Sequence, residues 1–226
     1  MNLELVRTLQ ASGDDAGALA ALDALTPSPT ERTQAAALAL LLGRPRLSAA
    51  WADGEPLLHA AALLRLGERA EVLRVLAGER DSARVLVLRA RATGDMQVAE
   101  QARAHARREG DSPALIAAAA HLGELLLPHG PYPALRALAE GLKVSEMQRE
   151  HTDPYLLAVL SVVQAQAGGS GKAGRTAGKA LERSVPRSPA RVLALHALGQ
   201  AGEAERERAA GDLHRTFSLL YPGGQV

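Results

Sequence analysis

Ser112-Pro113-Ala114-Leu115-Ile116-Ala117-Ala118-Ala119-Ala120-His121-Leu122-Gly123-Glu124-Leu125-Leu126-Leu127 decides the fold class. A Ser followed by Pro marks a helix start: the hydroxyl accepts from an orphan backbone N–H, and Pro has none to leave unsatisfied. From Leu115 onward only His121 and Glu124 are polar, so the helix is apolar nearly all round. Such a helix has to be buried on every side. The chain offers little but other helices to bury it. Of 226 residues, 46 are Ala and 38 Leu, against 13 Val, one Ile and one Phe. Strong helix formers abound and strand builders are scarce, so an all-α fold is expected.

The same grammar recurs along the chain. Ser28-Pro29-Thr30-Glu31 reads as a capping box with Pro at the first helical position. Asp153-Pro154 and Ser188-Pro189 repeat the cap-then-Pro order, and 34–42, 155–163 and 192–198 are apolar nearly all round. Between them lie amphipathic stretches: 68–77 with Val72, Leu73, Val75 and Leu76; 96–108 with Met96, Val98, Ala99, Ala102 and Ala106; 132–142 with Leu135, Leu138, Ala139 and Leu142. Buried helices alternating with half-buried ones fit a two-layer stack of helical hairpins. Gly13, Gly43, Gly67, Gly94, Gly130, Gly169 and Gly199 punctuate the hairpins at a mean spacing of 31. The residue five after each is Ala18, Ser48, Val72, Ala99, Leu135, Gly174 and Ala204, small in five of seven cases, as a close helix approach requires. A period of 20–50 residues in helical hairpins marks a solenoid.

These residues resemble the tetratricopeptide repeat (TPR) family. Its turn Gly followed five residues later by Ala is matched at Gly13/Ala18, Gly94/Ala99 and Gly199/Ala204. Its Leu-Gly pair is matched at Leu122-Gly123, and its closing Pro at Pro186. The family's first-helix Trp and Tyr and its second-helix aromatic are absent throughout. The resemblance implies an α-solenoid of stacked hairpins, a TPR-like right-handed superhelix. It would form a single domain over 1–226, with about seven hairpins and a short flexible tail at 222–226. It also implies a protein–protein interaction or scaffold module that binds a helical or extended segment of a partner. The family's concave-groove positions map to Asp81, Arg84, Leu88, Arg91 and Ala92; to Leu57, Ala61 and Leu64; to Ala117, Ala120 and Glu124; and to Leu156, Val159 and Val163. The Lys and Asn pattern of the family's carboxylate clamp is not reproduced, so recognition of a C-terminal carboxylate is not expected.

Composition narrows the chemistry. A net charge of +1 with 47% hydrophobic residues argues against disorder. Without Cys there is no disulfide, thiolate nucleophile or thiolate metal ligand. The stretch 154–171 is uncharged, but Gln164, Gln166 and three Gly interrupt it, so no membrane span is expected. The first residues lack the pattern of a signal peptide, and a cytoplasmic location is the expectation. Gly168-Gly169-Ser170-Gly171-Lys172-Ala173-Gly174 fails as a phosphate loop, since Ala follows the Lys and Gln166 stands where the first Gly belongs. No pair among His59, His105, His121, His129, His151, His196 and His214 has a zinc-site spacing. Neither metal, cofactor nor catalytic residue is expected, and an enzyme on a helical scaffold is the third-ranked reading.

Two surfaces remain. Lys172, Arg175, Lys179 and Arg183 are spaced to line one helix face, a candidate site for nucleic acid or another polyanion, against the alternative of a plain solvated face. In a C-terminal helix expected over 203–220, Leu213, Phe217 and Leu220 form one stripe with Tyr221 beside it. That stripe either docks on the preceding hairpin through Leu195 and Leu198 or packs against a partner helix or another copy of the chain, as a homodimer.

Overall fold

The computed structural model describes residues 2–147 and 152–215. Among them every regular element is a helix. The helices are α1 (Leu3–Ala11), α2 (Asp15–Asp23), α3 (Arg32–Leu41), α4 (Pro45–Trp51), α5 (Pro56–Leu66), α6 (Arg69–Val75) and α7 (Ala83–Thr93). They continue as α8 (Met96–Glu109), α9 (Ser112–Leu126), α10 (Pro131–Met147), α11 (Pro154–Gln166), α12 (Ser170–Arg183), α13 (Pro189–Ala197) and α14 (Ala201–Ala210). The tail 222–226 lies outside the described residues.

Each odd-numbered helix packs on the even-numbered helix that follows it. Every such pair is joined at a Gly in the left-handed half of backbone space: Gly13, Gly43, Gly67, Gly94, Gly130, Gly168 and Gly199. Only Gly adopts such φ values without a Cβ penalty. Six of the seven punctuating Gly were legible as spaced residues. In the sixth turn the positive φ falls on Gly168 rather than Gly169, so the small residue five later is Ala173, which is buried. The fifth turn also departs from the pattern. Leu127–His129 forms a single 3-10 turn around Pro128, which advances the register by one and puts Ala134, not Leu135, at full burial.

The pairs pack in chain order. Hairpins one and two share one apolar cluster that includes Leu3, Val6, Leu22, Ala35, Leu38 and Leu42. From α3 onward each first helix touches the next first helix, as in α7 with α9, and each second helix touches the following first helix, as in α8 with α9. Ion pairs reinforce this order. Arg84 of α7 donates to Asp111 at 2.6 Å, and Arg107 of α8 donates to Glu140 of α10 at 2.5 and 2.6 Å. Asp111 is also the true N-cap of α9, accepting from Ala114 N–H at 3.0 Å, with Ser112 already inside the helix. At Ser28 the capping box forms one turn early. Glu31 accepts from the Ser28 N–H at 3.1 Å, but the regular helix begins at Arg32.

Burial follows the apolar-all-round reading in two of three segments. No residue of 115–127 is exposed, and in 155–163 only Tyr155 is less than buried. In 34–42, Gln34, Ala37 and Leu41 are exposed, because α3 sits near the start of the stack and has neighbours on fewer sides.

The far end of the chain returns to its beginning. Arg44 Nη1 donates to the Ala210 carbonyl at 3.1 Å, Arg46 pairs with Asp212 at 3.0 Å, and the His214 N–H donates to the Arg65 carbonyl at 2.8 Å. The helix expected to run to 220 stops at Ala210. Gly211 lies so close to Arg187 that a Cβ would stand 2.8 Å from its carbonyl oxygen, and Asp212 takes a φ of 51°. That turn drops Leu213 into the apolar cluster of Val192, Leu195 and Ala204.

Candidate functional site

Arg91 near the end of α7, His121 and Glu124 on α9, and Tyr155 at the start of α11 come together where three successive first helices adjoin. The Arg91 guanidinium carbon lies 4.9 Å from the Tyr155 ring centroid, over its face. That is a cation–π geometry, worth more where water is excluded. Arg91 Nη2 stands 3.8 Å from Glu124 Oε1, and His121 Nδ1 is 2.9 Å from Glu124 Oε2. The local sequence explains the placement. His121 and Glu124 are three apart on one helix face, and the Asp153 carboxylate caps α11 by accepting from Leu156 N–H at 2.8 Å, which fixes where Tyr155 enters.

The cluster is shielded but not sealed: the side chains of Arg91 and Glu124 keep 21% and 11% of their exposure. Burial alone would push the Glu124 carboxyl up. The Arg91 cation, the His121 hydrogen bond and the Tyr155 hydroxyl outweigh it and hold Glu124 down at about 2. Burial likewise acts to lower Arg91, and the Glu124 charge with Tyr155 more than compensates, so its pKa is raised. Burial and the Glu124 carboxylate push the Tyr155 phenol well up, keeping it a neutral donor. Glu124 Oε1 and His121 Nε2 are buried without a hydrogen-bond partner among the described residues.

The other groove positions divide. Leu57, Ala61 and Leu64 of α5, Leu88 of α7 and Ala117 of α9 are half-buried, keeping an accessible edge on the first helices. Asp81 and Arg84 are exposed but engaged, Asp81 with Arg89 and Arg84 with Asp111. Ala92, Ala120, Leu156, Val159 and Val163 are core residues. The cluster therefore joins Arg91 and Glu124 from the family-based mapping to His121 and Tyr155, which that mapping omits. The signal for the latter two was local: a His three before a Glu, and one of five aromatic residues placed just after a capped Pro. Nearby, Arg65 of α5 donates to the Leu40 carbonyl at 2.5 Å. Burial without a carboxylate partner pulls its pKa down to about 10, which leaves it charged at neutral pH.

Lys172, Arg175, Lys179 and Arg183 are all exposed on α12, whose Ala173, Ala177 and Ala180 face inward. Leu213 is in the core, while Phe217, Leu220 and Tyr221 lie outside the described residues. Among the described residues no group of three or more His, Asp or Glu is placed to hold a metal ion, and no helix is long and apolar enough to cross a membrane. Set against known protein families, curated proteins and solved structures, the chain matches none of them.

Proposed function

We propose that the chain is a TPR-like right-handed solenoid that works as a cytoplasmic scaffold, holding a segment of a partner protein across its successive first helices. One observation carries the reading: Arg91, Glu124 and Tyr155 are contributed by three different hairpins to one shielded, partly accessible cluster. Desolvating an ion pair costs several kcal/mol per ion, so such a pair is weak evidence of stability for its own sake. Perturbed groups of this kind gather at functional sites. Half-buried Leu57, Leu64 and Leu88 on the first helices suit the apolar side chains of such a segment.

The test is co-purification from the native source with Leu64→Gln and Leu88→Gln variants whose helicity is checked by circular dichroism. The reading expects a stoichiometric partner of the wild-type chain to be lost from both variants. A partner retained at wild-type level by both would contradict it.

A further inference from the structure

The α12 surface differs from every other charged region described. Elsewhere the Arg residues are largely engaged: Arg44 with Asp23, Arg84 with Asp111, Arg107 with Glu140, Arg191 with Glu207 and Arg208 with Glu205. Lys172, Arg175, Lys179 and Arg183 are exposed, and none is in an ion pair among the described residues. The flanking helix α11 has no charged side chain, and the Arg191 of α13 is already paired. Glu182 is the lone acid on α12. At a rise of 1.5 Å per residue, the four cations extend over about 16 Å of one helix face.

Gly171, Gly174 and Gly178 each stand one position before a cation, about 100° round the helix from it. A methyl group added at Gly174 or Gly178 would meet no atom within 4 Å, and neither residue has a positive φ. Nothing inside the fold requires Gly there, and each costs about 1 kcal/mol of helix stability relative to Ala.

The geometry points to this face of α12 as a sequence-independent binding surface for the phosphate backbone of a nucleic-acid duplex. Phosphates repeat along each strand about every 3.4 Å of duplex axis, so the cation row spans several of them. The exposed residues of α12 are Ser170, Gly171, Lys172, Arg175, Lys179, Glu182 and Arg183. None is aromatic, so there is no platform for stacking single-stranded bases. None is apolar, and the apolar face of α12 is used inside the fold, so the helix has nothing to insert into a bilayer. This surface is separate from the Arg91–Glu124 cluster, and its test does not depend on that reading.

The experiment is fluorescence anisotropy of the full chain with a labelled 20-base-pair DNA duplex of arbitrary sequence, in a salt series from 50 to 200 mM. The parallel arms are the RNA duplex, single-stranded DNA, poly-glutamate and anionic phosphatidylserine vesicles. Neutralising four phosphates predicts a loss of affinity on the order of 100-fold over that range. The variant Lys172→Gln/Arg175→Gln/Lys179→Gln/Arg183→Gln changes only exposed side chains and should lose duplex binding with its circular dichroism unchanged. No duplex binding at 50 mM salt, wild-type affinity in the four-site variant, tighter binding to single strands, or equal binding to poly-glutamate or vesicles would each overturn the proposal. DNA and RNA duplexes binding alike supports backbone recognition, and a preference between them names the source.

Discussion

Arg44 and Ala210 are joined by a 3.1 Å hydrogen bond across 166 positions of sequence. The same guanidinium grips Asp23 through Nε and Nη2, each at 3.0 Å. One side chain thus ties together the first hairpin, the turn of the second and the end of the last. Arg44→Ala should cost about 1–2 kcal/mol, the range for charge-assisted hydrogen bonds with residual exposure. Hydrogen exchange should show faster opening of α14, whose C-terminal carbonyl at Ala210 the bond holds. Asp23→Asn keeps the Ala210 bond, so α14 protection should stay near wild type.

Two turn Gly residues separate the cost of a left-handed conformation from the cost of lost closure. Gly67 and Gly94 have φ values of 81° and 70°. A Cβ at Gly67 would stand 2.3 Å from the His214 ring, whereas at Gly94 it would meet nothing within 4 Å. Gly94→Ala should cost about 1 kcal/mol through backbone strain alone. Gly67→Ala should cost more, and the excess should vanish in a His214→Gly background. Urea denaturation of the wild type, the three single variants and the Gly67→Ala/His214→Gly double variant reads the difference directly.

Glu124 makes stability depend on pH with a definite sign. Its pKa is about 2 in the fold against an ordinary 4.5. The stabilisation is fully present above about 4.5 and is lost as pH falls through 2. Glu124→Gln should flatten the melting-temperature profile across that window. At pH 7 the variant leaves Arg91 without its counter-ion at a cost of about 3 kcal/mol. For a chain of this size that lowers Tm by roughly 6–12 °C. Equal acid sensitivity in both proteins would remove the ion pair from the account.

Leu213 is 1% exposed against Val192, Leu195 and Ala204. Leu213→Ala should cost about 2–4 kcal/mol. Light scattering should give the wild-type mass for the folded variant, because this residue is spent within the chain.

The helices and their turns were readable because two local signals agree. In six of the seven turns the positive-φ Gly stands where the spacing puts it, and apolar-all-round segments such as 155–163 have no stable place except the interior. Register was less legible. Pro128 inserts a 3-10 turn that moves the buried position from Leu135 to Ala134, and no repeat period encodes a one-residue shift. The C-terminal helix ends short of 220 because Gly211 packs on Arg187, 24 positions away, and Asp212 takes a left-handed φ. The cluster was half legible. Arg91 and Glu124 followed from the family resemblance, but the arrival of Tyr155 beside them is set by how α11 crosses α9, a packing outcome no local pattern carries.

A photo-crosslinking amino acid at Leu88, half-buried and one helical turn before Arg91, tests the central claim most directly. The control position is Leu73, exposed on the second helix of another hairpin. Irradiation in the native source should attach one discrete partner at Leu88 and none at Leu73, and mass spectrometry should map the attachment to a single segment of that partner. The product should disappear when Glu124→Gln is added at a temperature where the variant is folded. No product at Leu88, or the same products at both positions, would contradict a partner seated across the first helices.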